Sequence, residues 1–501
     1  MASEGLLMEF SDLSRSLGAD LLSFADSDRV GFSSVSIDSR LSGDGTLFVA
    51  LAGTVNDGHS FVKEAFGKGA AAALVERKKL TSFDLPRIAE SYGGVLVVVD
   101  DTLKGFQQAA TEYLKKFPRL LKIGITGSSG KTTTKEIAAA VISAEKCTVT
   151  NPGNYNSETG LPLVVFSVRP CHEVGIFEMG MNKKGEISAL ASVLKPNIAI
   201  ITNIGSSHIG YIGSKEAIAK EKKDIFLYFD ENCTALIPED SAFRDFLADG
   251  VSGKVIFYGE KSFSQLAGVK SLGLDGYEIK WNGDYVRFAL PGRHSLADAF
   301  AALAIAREIP VTDAAIKQGL ESVKPLFGRG EILRGRVTVI RDCYNANPES
   351  LAAALEFCES LDLSGSPGLP SRLVYVIGEM LELGVNSVQA HENIGRFLLG
   401  SKADMIFLYG KETAVTASIL NTFSEGKNNG SGQERFFHTC DIDDLARALS
   451  GYVCDGDTVL LKGSRGCALE QLTDIFTGSH NRQVDEGVAA TRGIAATQGV
   501  A

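Results

Sequence analysis

Apolar residues along this chain fall into short unbroken runs, separated by longer stretches in which they recur at helical spacing. Residues 47–51, 70–75, 95–99, 122–125, 174–177, 198–201, 337–340, 373–377, 405–409 and 458–461 predict strands buried on both faces. A short alternating strand is predicted over 35–40. Between the runs, 61–69, 217–226 and 350–358 predict helices, and Ile137, Val141 and Ala144 sit at i, i+4 and i+7. Strands alternating with helices predict an α/β chain of mostly parallel sheets, with ligands at the strand carboxyl ends. A polar break at 115–118 reads as a linker, and Gly328-Arg329-Gly330 opens another block. The expected division is 1–117, 118–328 and 329–480, followed by a small, polar, disordered tail over 481–501. The Gly/Asn/Ser-rich stretch 426–432 is expected to be a mobile loop.

Bulk properties narrow the classes. A length of 501 residues supports about three domains at ~150 residues each. A net charge of −11 argues against nucleic acid as a partner, so any phosphate must be met by local positive groups. No apolar run reaches the ~18 residues of a membrane span, and the first 20 residues lack a signal-peptide core. Eight scattered cysteines without a C-x-x-C pair predict reduced thiols used for packing, in a cytoplasmic protein.

The chemistry starts at residues 123–134, I-G-I-T-G-S-S-G-K-T-T-T. An apolar strand breaks into a glycine turn, then Lys-Thr, then a helix, which is the layout of a phosphate-binding loop. The long form of that motif fails, because Ile125 stands where a glycine is required; the shorter T-G-x-x-G-K-T is intact. Gly127 and Gly130 would let the N–H groups of Ser128, Ser129 and their neighbours crowd around phosphate oxygens. The helix beginning at Lys131 would point its positive end at the same anion. Lys131 adds a full charge, Thr132 a hydroxyl for Mg²⁺, and Thr133 lies beside them. At the next strand end, Glu178 is either a solvated acid or a ligand to a nucleotide-bound Mg²⁺. A lone histidine such as His208 reads more readily as structural than as a ligand, and Lys220, Lys222 and Lys223 as a solvated face. Arg40 and His59 are either turn residues or face a substrate. Later strand ends carry Gly378-Glu379, Gly410-Lys411 and Lys462 to Arg465.

Taken together, T-G-S-S-G-K-T-T-T (126–134), G-N-Y-N-S-E-T-G-L-P (153–162), E-M-G-M (178–181), Y-N-A-N-P (344–348), G-E-M-L-E-L-G (378–384) and K-G-S-R (462–465) resemble the ATP-dependent Mur ligases of peptidoglycan synthesis, to about residue 480. D-S-R (38–40) and D-G-H (57–59) resemble that family's uridine-nucleotide domain, and the later motifs resemble its D-alanyl-D-alanine-adding branch. No D-N-P-R-type motif of the diamino-acid-adding branch is present. The resemblance implies three domains: a UDP-sugar-peptide domain, a central P-loop ATPase-like domain and a Rossmann-like C-terminal domain. It implies ATP and Mg²⁺, with Thr132, Glu178, His208 and a carbamoylated Lys222 around the metals. Lys222 is chosen over Lys220 because it begins K-x-x-I-F (222–226). Arg329 and Asp342 would hold the nucleotide. Ser39, Arg40, Asn154 and Asn156 would hold the UDP-linked substrate, and Tyr344, Asn345, Asn347, Glu379 and Arg465 the incoming amine. One departure stands out. The family's H-N-x-x-N, whose asparagine meets adenine, reads His294-Ser295-Leu296-Ala297-Asp298 here, and an ionised Asp298 accepts but does not donate.

The implied reaction joins D-alanyl-D-alanine to a UDP-muramoyl tripeptide through an acyl phosphate. Its partners would be small molecules, without nucleic acid or membrane insertion, and the enzyme a monomer. Two rivals remain. A folylpolyglutamate synthase would lack the D-S-R and D-G-H region, and a GTPase switch would need N-K-x-D, which Asn182-Lys183-Lys184-Gly185 does not supply.

Overall fold

The buried runs pair with one another because a strand covered on both faces hides its apolar side chains only inside a sheet flanked by helices. A computed structural model describes residues 5–24, 30–362, 372–424 and 435–477. The stretches expected to be a mobile loop (426–432) and a tail (481–501) lie outside the described residues.

Three α/β sheets follow one another. The N-terminal sheet has five strands in the order Asp20–Ser23, Val95–Val99, Ala72–Glu76, Thr46–Val49 and Ser34–Ser36; only the first pairing is antiparallel. The central sheet has six strands, all parallel, in the order Lys254–Tyr258, Thr234–Pro238, Ile198–Ile201, Leu121–Thr126, Val174–Glu178 and Thr148–Thr150. The C-terminal sheet runs Glu331–Leu333, Thr338–Arg341, Thr458–Lys462, Leu373–Gly378, Met405–Tyr409 and Phe436–Thr439, with an antiparallel first pairing. In the central sheet, Leu121–Thr126 lies between Ile198–Ile201 and Val174–Glu178, so the loops after all three strands open on the same edge.

Some predicted elements need correction. The strand expected over 35–40 stops at Ser36, because the Asp38 carboxylate accepts the Arg40 N–H and turns the chain into a short 3-10 helix, Ser39–Leu41. The helix after the phosphate loop is Lys131–Ile142, so Ala144 falls beyond it. Its buried face is Ile137, Ala138, Val141 and Ile142, each shielding roughly 1–3 kcal/mol of apolar surface from water, least for the alanine. A three-stranded antiparallel meander, Leu266–Ser271, Tyr277–Trp281 and Asp284–Phe288, interrupts the parallel plan. Its alternation buries Tyr277, Ile279 and Trp281 on one face, a pattern too short to stand out in the sequence. The helix Pro348–Glu359 begins two residues before the predicted start, since Pro348 suits the first turn and Asn347 caps it.

The N-terminal and central regions share a core. Phe32 meets Phe166 edge-on with centroids 5.9 Å apart, Phe166 stacks on Phe106 at 6.1 Å, and the Tyr113 hydroxyl donates to Val168 O at 2.8 Å.

Candidate active site

The phosphate loop follows Leu121–Thr126 directly, and its two glycines are sterically required. A Cβ on Gly127 would collide with Thr202 Oγ1, and one on Gly130 with the Asp298 carboxylate; Gly130 also has φ +77°. Asn203 fixes the loop from the neighbouring strand end. Its Oδ1 accepts the N–H groups of Ser128 and Ser129, both at 3.0 Å, and its Nδ2 donates to Ser129 Oγ at 2.6 Å. Two of the N–H groups expected to face phosphate are therefore bonded to Asn203. The helix Lys131–Ile142 has no side-chain cap, so its positive end stays open to the cleft.

Lys131 folds back over the loop, its Nζ donating to Gly127 O at 2.7 Å. Lys222 reaches the same carbonyl from the helix Lys215–Lys223, at 2.9 Å, and is 1% exposed. Burial, then the charge of Lys131, pushes the Lys222 amine well below its ordinary range; burial lowers Lys131 as well. Lys222 is thus not part of a solvated face, although its neighbours Lys220 and Lys223 are at the surface or half-buried.

Glu178 is 2% exposed and fully bonded, which excludes the solvated-acid reading. Its Oε2 accepts from Thr132 Oγ1 at 2.8 Å and its Oε1 from Asn156 Nδ2 at 2.6 Å. Asn151 Oδ1 accepts the Glu178 N–H at 2.7 Å, and the carbonyl of Asn151 accepts from Lys135 Nζ at 2.6 Å. Lys135 is fully buried and also pairs with Glu136 at 2.8 Å. Asp298 lies against the phosphate loop, with Thr134 Oγ1 donating to it at 3.4 Å. Burial raises its carboxyl well above the usual range, against the opposing pull of the Thr134 hydroxyl, Arg329 and Lys131.

Three side chains of the C-terminal region close over this edge. Glu349 accepts from Ser206 N at 3.0 Å, Ser206 Oγ at 2.8 Å and Lys215 Nζ at 2.8 Å. Asn347 Nδ2 donates to Ser207 Oγ. Glu382 Oε2 stands 2.7 Å from Nδ1 of His208, off the hydrogen-bonding angle, and both residues have positive φ, +64° and +60°. Arg329 lies 3.9 Å above the Tyr344 ring, and Lys462 holds Asp342 at 2.7 Å. The result is a cleft of about 1120 Å³ between the central and C-terminal sheets. Of the predicted residues, Ser128, Ser129, Gly130, Lys131, Thr132, Thr133, Asn154, Asn156, Glu178, His208, Arg329, Asp342, Tyr344, Asn345 and Asn347 line it.

Three family models cover most of the chain: the Mur ligase family catalytic domain over 31–106, the Mur ligase middle domain over 125–306 and the Mur ligase glutamate ligase domain over 328–465. The chain is 40% identical over 446 residues to the UDP-N-acetylmuramoyl-tripeptide--D-alanyl-D-alanine ligase of Treponema pallidum (strain Nichols), spanning 89% of this chain and 94% of that one. The chain belongs to the Mur ligase family. Its fold matches a crystal structure of MurF from Acinetobacter baumannii at a TM-score of 0.78 and 26% identity, over 92% of this chain and 97% of that one. It also matches the MurF ligase of Thermotoga maritima in complex with ADP, at 0.72 and 26%, over 88% and 96%.

Several expected site residues of this Mur ligase stand elsewhere. Gly127 and Lys222 lie beneath the cleft rather than on its wall. Ser39 is buried and gives its hydroxyl to Glu64 at 2.7 Å, while Arg40 is exposed and paired with Asp38 at 2.7 Å. His59 is structural: 1% exposed, it accepts the Glu76 N–H on Nε2 at 2.9 Å and meets Asp57 through Nδ1 at 2.6 Å. Glu379 accepts the Glu412 N–H at 3.0 Å and Arg465 pairs with Glu470 at 2.8 Å; neither lines the cleft itself, but the Arg465 guanidinium stands 5.7 Å from the ring centroid of Tyr344, which does. Asn156 lines the cleft but spends its amide on Glu178. The sequence reading missed Lys135, Asn151, Asn203, Glu349 and Glu382. Asn203 follows an apolar run, as Glu178 does, and that placement was its one available signal; Asn151 follows Thr148-Val149-Thr150, which is not apolar enough to mark it.

Proposed function

We propose that this protein is an ATP-dependent amide ligase that adds D-alanyl-D-alanine to UDP-N-acetylmuramoyl tripeptide in cytoplasmic peptidoglycan-precursor synthesis, acting as a monomer. The supporting observation is the single cleft in which Lys131, Thr132 and Glu178 face Arg329, Asp342 and Tyr344 from the opposite region. The similarity to the Treponema pallidum enzyme over nearly its whole length supports the same reading. In this proposal residues 1–117 bind the UDP-linked substrate through Ser39 and Arg40, 118–328 bind ATP, and 329–480 bind the amine.

The donor set suits Mg²⁺: a carboxylate and a hydroxyl oxygen 2.8 Å apart, both hard ligands, at the mouth of the phosphate loop. Thr132 and Glu178 would hold one ion, and His208 with a carbamate on Lys222 a second; bound there, Mg²⁺ would offset phosphate charge. Carbamoylation needs a neutral amine, and the depressed basicity of Lys222 favours one. The carbamate would have to leave the Gly127 carbonyl to reach the cleft.

The chain's own groups would then act in order. Lys131 and the open helix end draw the ATP phosphates into place, and Arg329 meets them from the other side. The tripeptide carboxylate attacks the terminal phosphoryl group, releasing ADP and forming an acyl phosphate. The dipeptide amine adds to that carbonyl, loses a proton, and the tetrahedral intermediate expels phosphate to leave the amide. Tyr344, Asn345 and Asn347 would guide the amine, with Glu379 and Arg465 meeting its charged ends. Product masses from a panel of acceptors and amines test the proposal. Amide formation should require ATP, Mg²⁺, the UDP-muramoyl tripeptide and D-alanyl-D-alanine together. Efficient use of D-glutamate, a diamino acid or a folate glutamate tail in place of the dipeptide would sink it.

A further inference from the structure

The cysteines do not all pack as expected: Cys233, Cys343, Cys358 and Cys467 are buried, but Cys147, Cys171, Cys440 and Cys454 are exposed. Two of the exposed thiols meet. Cys147 Sγ, Cys171 Sγ and a ring nitrogen of His172 lie within 4.8 Å of one another, and among the described residues no other such cluster occurs.

The backbone holds the two thiols in register. Cys147 O accepts the N–H groups of Glu173 at 2.8 Å and Val174 at 3.3 Å, so the start of the edge strand Thr148–Thr150 is tied to the turn that carries Cys171. The thiol proton of Cys147 is held by its contact with Cys171, which raises its pKa. His172 Nδ1 accepts the Arg169 N–H at 2.9 Å. That bond occupies a lone pair a metal would need, so the cluster suits sulfur chemistry better than ligation. Closing a disulfide needs the sulfurs to approach to about 2 Å, which rotation of two exposed side chains can supply.

The segment the two cysteines would close has a specific content. It contains Asn151 and Asn156, both bonded to Glu178 in the active-site cleft. The edge strand itself has only three residues and one neighbour in its sheet.

We propose that Cys147 and Cys171 form a reversible intramolecular disulfide when the protein meets hydrogen peroxide, a redox staple on the edge strand that leads to the active-site asparagines. One thiolate attacks the peroxide oxygen, giving a sulfenic acid and water once the departing hydroxide takes up a proton. The second thiolate attacks that sulfur and expels the hydroxyl group as water. Two thiols and one peroxide thus yield one disulfide and two waters, and a dithiol reverses the step by exchange.

The test uses the full chain with a small molar excess of hydrogen peroxide, peptide mapping without reductant, and thermal unfolding. One linked pair of peptides is expected, joining Cys147 to Cys171 and lost on reduction, while the unfolding midpoint rises by several degrees and returns with dithiothreitol. Cys147→Ser and Cys171→Ser should each remove both the link and the shift, and without peroxide both should ligate like the parent. Sulfinic acids at both positions with no link, pairing with Cys440 or Cys454 instead, or a link that leaves the midpoint unchanged would each overturn the proposal.

Discussion

Lys131 and Lys222 donate to one oxygen, the carbonyl of Gly127, at 2.7 and 2.9 Å. Burial, and then repulsion from the charge of half-buried Lys131 on the same acceptor, lower the basicity of buried Lys222. A phosphate arriving at the loop would give Lys131 a stronger acceptor than a carbonyl. Lys131→Ala should therefore fold normally, by circular dichroism, and lose at least about a hundredfold to a thousandfold in ligation rate. Activity within a few-fold of the parent would remove the phosphate-loop assignment.

Lys222→Ala separates a carbamate from a plain structural lysine. The variant should be inactive and recover partly with formate, a small carboxylate that can enter the space left behind. Labelled bicarbonate should add a carbamate carbon signal to the parent, absent from the variant. Full activity without additive would show that Lys222 only supports the loop.

Lys135 has no expected contact with substrate, yet it holds Asn151, which holds Glu178. Lys135→Met keeps the length and leaves the Asn151 carbonyl unpaired, at a cost of about 1–3 kcal/mol. Urea unfolding should show that loss, and the Mg²⁺ concentration for half-maximal rate should rise as Glu178 loosens. Unchanged Mg²⁺ dependence would confine Lys135 to stability.

Glu349 ties the C-terminal region to the loop at Ser206 and to Lys215. Burial opposes its charge, but bonds from Lys215 and Ser206 prevail and hold its pKa below the ordinary value. Glu349→Ala should favour an open arrangement. Solution scattering should give a larger radius of gyration than the parent without ligands, and ATP with the UDP-linked substrate should narrow the difference. Equal radii throughout would mean that other contacts fix the two regions.

Asp57 provides a pH test in the N-terminal region. Partial burial disfavours its charge, yet Lys79 and His59 outweigh that and lower its pKa to about 2. A depressed carboxylate contributes stability that is present above its unfolded value near 3.8 and is lost as pH falls towards 2. With a quarter of the side chain exposed, solvent screening reduces the contribution to about 1 kcal/mol. Asp57→Asn should cost that much at pH 7 and progressively less from pH 4 downward, read from denaturant midpoints. An equal loss at pH 7 and pH 3 would show that the effect is not the charge.

What the sequence determined by itself was local. Unbroken apolar runs set the buried strands, because such runs have no other way to leave water, and the parallel order followed from the helices between them. The phosphate loop was legible because Gly127, Gly130, Lys131 and Thr132 act within a few residues of one another. The partners of that loop were decided only by tertiary structure. Asn203 reaches Ser128 across about 75 positions, Lys222 reaches Gly127 across 95 and Glu349 reaches Ser206 across 143. Nothing local marks such a residue, since an amide or carboxylate after a strand looks the same whether it meets water or a distant backbone. The same limit hid the intramolecular partners of Ser39 and His59, the second of which the sequence leaves open between a turn residue and a substrate-facing one. In the folded chain they satisfy the Glu64 carboxylate and the Glu76 N–H, because a buried polar group without a partner costs more than either contact contributes.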